Sequence, residues 1–475
     1  MTAVVDIPKH LPVHFIGIGG IGMSGIAFTF LHRGYRVTGS DLKGSAITAR
    51  LKEAGAEIFE GHRASNVPRK GTVVYSSAVQ SDNPEMLEAC ALDLPVIMRA
   101  QALAWLMRDK SPIAIAGTHG KTTTTTLVSL MLSHAGYDPS AVIGGIVDAF
   151  GGNVRCGDGP HFVAEADESD GSLVNFYPAY SIITNVEEEH LGFYNNLQEI
   201  LDTFARFIEN TLPDGCLVYN LDEPNIAGLA KRYNDNTFSY SISQSADIFA
   251  ENVVLRGFGS IFDVLYEGNL VGTMELNIPG MHNVSNSLAA LAVAMKLGIS
   301  FETAREGVRE FRGVRRRLEV RGFVDDVLVI DDYAHHPTEV SATLRSARII
   351  ANGGRLLGVF QPHRYTRTKY LHKRFSDAFT SVDRLILTDV YPANEPAIEG
   401  IDGRTILRSV LEGGQENVEY FPNFRDIPDF LSETVRPGDV VVTMGAGNIS
   451  IVADELVRRL KERRNDLMAL AGNER

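Results

Sequence analysis

Cysteine is scarce and scattered in this chain. Cys90, Cys156 and Cys216 are the whole complement of 475 residues. Their number is odd and no two stand at metal-ligand spacing, which argues against a disulfide framework or a cysteine-based metal site. Reduced thiols in a cytoplasm are the expectation. Positive charge is also in short supply: 45 Lys and Arg face 59 Asp and Glu, a net charge of −14. Nonspecific nucleic-acid binding needs a basic surface that displaces counterions, so that class is excluded. A local basic pocket for an anionic ligand is not. No apolar run approaches the roughly 18–20 residues that cross a bilayer. The opening MTAVVDIPKHLPVHFIGIGG has no apolar core behind a basic start, so no signal peptide is expected.

What is present is ordinary globular material, 44% hydrophobic and 22% charged. At roughly 100–200 residues per domain, three domains fit best. The first, residues 1–109, opens with a strand in VHFIGIGG, a helix pattern from Met23 to Arg33, and a strand in YRVTGSD. That is the grammar of a Rossmann-like α/β unit. TVVYSSAV and LPVIM read as further strands, and DKSP at 109–112 reads as a linker. The second domain, 110–322, begins with the strand PIAIA and a helix from Thr122 to His134. HFVAEAD, YSIITNV and the helix-like NLQEILDTFARFIENT follow, then short alternating strands and the helix-like HNVSNSLAALAVAMKLG. The third, 323–475, repeats apolar strands that run into polar loops: VLVIDDYAHHP, RLLGVFQPHRYTR, RLILTDVYP and DVVVTMGAGNIS. This predicts a second open parallel sheet with ligands beyond the carboxyl ends of its strands.

The strongest signal is GTHGKTTT after an apolar strand, residues 117–124. Gly117 and Gly120 let the backbone curl so that several N–H groups, including those of Thr118, His119 and Thr123, face one anion. The helix that follows adds its dipole. Lys121 reaches the β- and γ-phosphates of a nucleotide, and Thr122 offers a hydroxyl to a divalent cation. The common spacing would need glycine where Ile115 stands, so this is a phosphate loop of shorter pitch.

A second glycine loop, GIGGIG, fits the dinucleotide fingerprint through Gly17, Gly19 and Gly22, with Asp41 ending the next strand. Alone it would suggest a nicotinamide cofactor. What it reports is a diphosphate at a helix N-terminus and an acid beside a ribose, which a UDP-sugar also supplies. Other residues carry weaker signals. Glu165 and His190 end or follow apolar strands and could ligate Mg²⁺ or Mn²⁺; a metal-free helix-terminal histidine is an equal reading of His190. Asp167, Glu168 and Asp170 read as a solvated acidic turn. Asn283 and Asn286 share a helix face and could read an adenine edge, or Asn283 could cap. Tyr333, His335, His363, Arg364 and Arg367 cluster cationic groups in an acidic chain, which suits a carboxylate or phosphate.

In order and spacing, GIGGIGMSGIA, SSAVQSDNPE, GTHGKTTTTT, EADESDGS, NVEEEHL, PGMHNVSNSLAA, DDYAHHPTE, FQPHRYTRT and MGAGNIS resemble the Mur ligase and folylpolyglutamate synthetase superfamily, in its alanine-adding branch. The resemblance covers nearly the whole chain. It implies three α/β domains: a Rossmann-like UDP-binding domain, a central P-loop ATPase domain and a Rossmann-like amino-acid-binding domain. It implies ATP-dependent joining of L-alanine to the lactyl carboxylate of UDP-N-acetylmuramate through an acyl phosphate, in peptidoglycan precursor synthesis. Lys121, His190 and Arg317 are then catalytic, Arg317 reaching the γ-phosphate. Thr122 takes a first Mg²⁺, Glu165 and His190 a second, with Mn²⁺ an alternative. Asn286 meets adenine and Asp332 the ribose. Gly19, Gly20, Gly22, Ser40 and Asp41 hold the UDP part, Ser76, Ser77, Asn83 and Arg99 being weaker candidates. Tyr333, His335, His363, Arg364 and Arg367 hold the amino acid and the muramoyl end. Several ligases of the superfamily carry a carbamylated lysine after the histidine; LQEILDTFARFIEN has none, as the alanine-adding branch leads one to expect. The base that deprotonates the amine stays open between His190 and His335, and the chain is expected to be a monomer or homodimer. A tripeptide-adding recycling ligase and a non-catalytic ATP-dependent regulator are the alternatives.

Overall fold

The computed structural model describes residues 6–233 and 236–473, with side chains through residue 466. Residues 1–5, where the stretch read as lacking a signal peptide begins, lie outside the described residues. Among those described, no helix is long and apolar enough to cross a membrane.

Among the described residues, three sheets follow one another along the chain. The first has five parallel strands; in spatial order these are Glu57–Glu60, Val37–Asp41, Val13–Ile16, Thr72–Tyr75 and Val96–Met98. The order reverses beside Val13–Ile16, so the crevice for a ligand opens at the loop leaving that strand, where GIGGIG lies. The helix Ile21–His32 starts there.

The second sheet has ten strands, with Ser111–Ala116 at its centre between Tyr180–Ile183 and His161–Glu165. Ser111 and Pro112 pair with His161 and Phe162, so the expected linker DKSP is shorter than its composition suggested. Side chains alternate along the central strand. Ile113 and Ile115 enter one apolar core, while Ala114 and Ala116 enter the other. That period of two is what a strand buried on both faces requires. The edge beyond residue 240 is antiparallel, built from Ile248–Arg256, Gly259–Tyr266 and Asn269–Leu276.

The third sheet has six strands in the order Glu319–Val324, Val327–Asp332, Val440–Met444, Leu356–Phe360, Arg384–Thr388 and Val418–Phe421. All neighbours are parallel except the first pair, which is a hairpin. Glu319–Val324 was not expected as a strand. It belongs to the third sheet, so the expected division after residue 322 falls inside it. Apolar cores line both faces of this sheet. The ends of Val327–Asp332, Leu356–Phe360 and Val440–Met444 place Asp332, His363 and Gly445 on one rim, and that rim faces the central sheet.

Candidate active site

The loop 117–120 turns from strand to helix with Gly117 at φ +139° and Gly120 at φ +84°. Both angles are costly for residues with a Cβ, and there is no room for one. A Cβ on Gly117 would lie 2.0 Å from Thr184 Oγ1, and one on Gly120 2.4 Å from Asn286 Oδ1. The loop is braced from below: Thr118 N–H donates to the Asn185 carbonyl, His119 N–H to Asn185 Oδ1, and Glu187 N–H to Thr118 Oγ1.

Lys121 opens the helix Lys121–His134 and folds back over the loop. Its ammonium donates to the carbonyls of Gly117 and Thr118 and, at 2.8 Å, to Glu168. Burial alone would lower the Lys121 ammonium; Glu168, Asp167 and Glu165 outweigh it and hold it above its ordinary value. Thr122 Oγ1 lies 3.2 Å from Glu165, whose other oxygen accepts from Gly144 N–H. Burial pushes the Glu165 carboxyl up, against the Gly144 hydrogen bond and Lys121. His190 stands at φ +56°, with Nε2 3.4 Å from Glu168. Thus Lys121, Thr122, Glu165 and His190 converge. Glu168 is not the solvated turn residue expected: it is buried, paired with Lys121 and next to His190. Asp167 is bound to Arg99 at 3.0 Å; burial would raise its carboxyl, but Arg99 and Lys121 bring it down to about 2.

A cavity of about 340 Å³ lies beyond the loop. Thr122, Thr123, Asn283, Asn286, Arg317 and Asp332 line it, so residues from two sheets enclose one space. Asn283 is inside the helix Met281–Lys296, not its cap; Gly280 holds that place, and Asn283 Nδ2 donates back to the Pro279 carbonyl. Of the three arginines before residue 318, Arg315 is exposed, whereas Arg316 and Arg317 are partly buried. Arg315 meets Asp148 and Arg316 meets Asp331, while Arg317 lies 3.4 Å from Glu339. Asp332 accepts from Leu318 and Ala334 N–H, and burial pushes its carboxyl up to about 6.

A second cavity, about 500 Å³, is lined by Ser77, Asp170, Glu189, His190, Arg364 and Arg367 among others. Arg364 is its half-exposed cation, at φ +71° and 3.9 Å from Glu395. Arg367 is buried and already engaged, donating to Glu189 at 3.0 Å and to His363. Burial, then Arg367, brings the His363 imidazole down to about 2, and burial brings His335 to about 4. The two rings meet edge to face 5.7 Å apart. Tyr333 stacks under Arg316 and Arg317.

In the first unit, Gly19 N–H donates to Asp41 Oδ2 at 2.8 Å, and the helix after Gly20 packs Gly22 against the Arg99 side chain. Ser40 is spent elsewhere: its buried hydroxyl donates to Glu85 and contacts His62. Ser76 accepts from Val79 in a turn, and Asn83 caps the helix Pro84–Ala91. Sequence reasoning missed Glu187, Glu189 and Glu339, which gather imidazoles and guanidinium groups between the sheets. Their signal was the run EEEH beside a loop already singled out, and the Glu two residues after HHP.

A P-loop shared between two further α/β units, with a second polar cavity beside it, defines a class of nucleotide-dependent, multi-domain enzymes. Three family models match in tandem: "Mur ligase family, catalytic domain" over residues 12–111, "Mur ligase middle domain" over 115–294 and "Mur ligase, glutamate ligase domain" over 316–447. The chain belongs to the Mur ligase family, whose members are ATP-dependent. It is 48% identical over 449 residues to the UDP-N-acetylmuramate–L-alanine ligase of Geobacter sp. (strain M21), covering 94% of this chain and 97% of that one. The ligase of the same name from Pelotomaculum thermopropionicum is 46% identical over 459 residues, with 96% and 99% covered. Among solved structures, the UDP-N-acetylmuramate–alanine ligase of Thermotoga maritima superposes with a TM-score of 0.81 at 31% identity, over 96% of this chain and all of that one. A murein peptide ligase from Psychrobacter arcticus gives 0.70 at 25% identity, over 95% and 98%.

Proposed function

We propose that this enzyme joins L-alanine to the lactyl carboxylate of UDP-N-acetylmuramate, cleaving ATP to ADP and phosphate, as a cytoplasmic step of peptidoglycan precursor synthesis. One observation carries the reading beyond its relatives' names. The segment Glu187–His190 borders both cavities, so a γ-phosphate in the first would end beside an acceptor in the second.

The loop amides and Lys121 would receive the β- and γ-phosphates, Asn286 the adenine and Asp332 the ribose. Mg²⁺ suits the oxygen-rich set: a hydroxyl and a carboxylate lie 3.2 Å apart at Thr122 and Glu165, and a Cβ on Gly144 would collide with that carboxylate. Thr122 would hold a first ion and Glu165 with His190 a second, and the ions would neutralise charge on the transferring phosphoryl group. The lactyl carboxylate oxygen attacks the γ-phosphorus and ADP leaves, giving an acyl phosphate. Lys121 and Arg317 offset the charge that builds on the equatorial oxygens. Both are held by carboxylates here, Lys121 by Glu168 and Arg317 by Glu339, so ATP must draw them away. The amine of alanine attacks the acyl carbon, and the tetrahedral intermediate expels phosphate to leave the amide. Arg364 takes the alanine carboxylate, while Arg367, tied to Glu189 and His363, holds the acceptor loop against the loop of His190. His190, on the wall of the second cavity, and His335 are the two candidates to accept the ammonium proton.

Separate omission of each substrate tests the assignment. Phosphate release should require both UDP-N-acetylmuramate and L-alanine, and the product should be heavier by one alanyl residue. Turnover with a tripeptide and none with alanine would assign the chain to the recycling ligases instead.

A further inference from the structure

Between the central and third sheets lies a cluster that the ligation chemistry leaves unused. His119, Glu187 and His336 each offer one ligand atom, and these atoms lie within 4.8 Å of one another. Two come from the central unit, and His336 comes from the loop after Asp332. The rings of His119 and His336 are 4.8 Å apart. His119 Nε2 is 3.7 Å from Glu187 Oε1, and His336 Nδ1 is 3.8 Å from Glu187 Oε2.

Three features distinguish this from an ordinary ion-pair knot. First, His119 Nε2 is buried and has no hydrogen-bond partner. Its other nitrogen, Nδ1, lies 3.2 Å from Glu339. A carboxylate on the far nitrogen fixes the tautomer that leaves the lone pair of Nε2 toward the cluster, as in carboxylate–histidine–metal triads. Second, His336 repeats the pattern in mirror image. Its Nε2, likewise without a partner, lies 3.7 Å from the unpartnered Oε2 of Glu189, and its Nδ1 is the nitrogen toward Glu187. Only the Thr338 N–H, at 3.3 Å, occupies that nitrogen, a long contact that a stronger Lewis acid would displace. Third, Glu187 has one oxygen held and one free. Oε2 accepts from Thr338 Oγ1 at 2.7 Å and from Arg374 at 2.8 Å, while Oε1 faces His119. His336 is fully buried.

We propose that His119, Glu187 and His336 form a binding site for a borderline transition-metal ion, Zn²⁺ foremost, separate from the Mg²⁺ set of Thr122, Glu165 and His190. Two imidazoles and one carboxylate suit Zn²⁺ and fit Mg²⁺ poorly, since Mg²⁺ prefers oxygen and retains its water. Ligands from two units make the ion a staple across the interface. His119 and Glu187 also line the nucleotide cavity, so the staple and ATP entry oppose one another.

The test uses untagged full-length protein with Cys90 replaced by Ser, because that thiol is exposed. Zn²⁺ is titrated calorimetrically without nucleotide or Mg²⁺, and Co²⁺ is added in parallel for its visible absorption. The expected result is one equivalent of Zn²⁺, a Co²⁺ band of low-coordinate type, and affinity reduced at least about tenfold in Glu187→Gln and in His336→Gln. His119→Gln replaces the second variant if His336→Gln does not fold. Glu165→Gln and His190→Gln should bind Zn²⁺ as the parent does. Binding abolished by Glu165→Gln or His190→Gln, binding indifferent to Glu187→Gln and His119→Gln, or no binding at micromolar Zn²⁺ would each overturn the site.

Discussion

Replacing Lys121 with Ala should do two separable things, and the structure says how large each is. The ammonium is mostly buried, and Glu168 beneath it is almost wholly so. Removing one partner of a buried pair leaves an uncompensated charge, at a cost of about 3–5 kcal/mol. A loss in that range is therefore expected. Catalysis loses a preorganised cation at the γ-phosphate, worth roughly 10²–10³ in kcat. The double variant Lys121→Ala/Glu168→Gln separates the effects. Urea denaturation should show stability largely restored, whereas phosphate release stays low. A Lys121→Ala enzyme with turnover within about tenfold of the parent would refute the loop assignment. Unchanged stability in that variant would refute the energetic role given to Glu168.

Other perturbations give distinct readouts. Gly120→Ala places a Cβ 2.4 Å from Asn286 Oδ1 at φ +84°, so ATP KM should rise well before alanine KM does; steady-state kinetics with each substrate varied checks this. Arg364→Ala should raise the KM for alanine with little change in nucleotide affinity measured by calorimetry, whereas a mainly ATP-binding defect would reverse the roles of the two cavities. Glu85 is fully buried and accepts from Ser40, Asn66 and Arg63 N–H, with His14 alongside. Burial would raise its carboxyl, but hydrogen bonds from His14, Ser40 and Asn66 bring it below the ordinary value. A depressed carboxyl contributes stability above its unfolded value, near 4.3, and loses it as pH falls through the folded one. The stability gap between parent and Glu85→Gln should therefore be widest near neutrality and narrow in acid; a gap constant with pH would contradict this.

The strands that carry the site were legible because they are short apolar runs ending in glycine, acid or histidine. Val13–Ile16 and Val327–Asp332 fall within the expected segments, and Ser111–Ala116 starts one residue before the expected PIAIA. The edge strands were harder. Glu57–Glu60 reads EIFE and Glu319–Val324 reads EVRGFV, too short or too polar for a period of two to stand out. Site residues tied to local backbone chemistry, such as Gly117, Gly120 and Lys121, were readable from spacing. Those defined by partners far along the chain were not: Glu189 meets Arg367 across 178 residues, and Glu187 meets Arg374 across 187. Nothing local marks a glutamate as the future partner of an arginine on another sheet. The same blindness hides that Glu85, 45 residues on, takes the Ser40 hydroxyl.

The central claim is that one chain couples ATP cleavage to amide formation across two adjoining cavities. Phosphate release from ATP and Mg²⁺, with UDP-N-acetylmuramate and L-alanine added singly and together, measures that coupling directly. Release should occur only with both present, matched mole for mole by a product one alanyl residue heavier. Release that ignores alanine, or that proceeds without any ligated product, would contradict it.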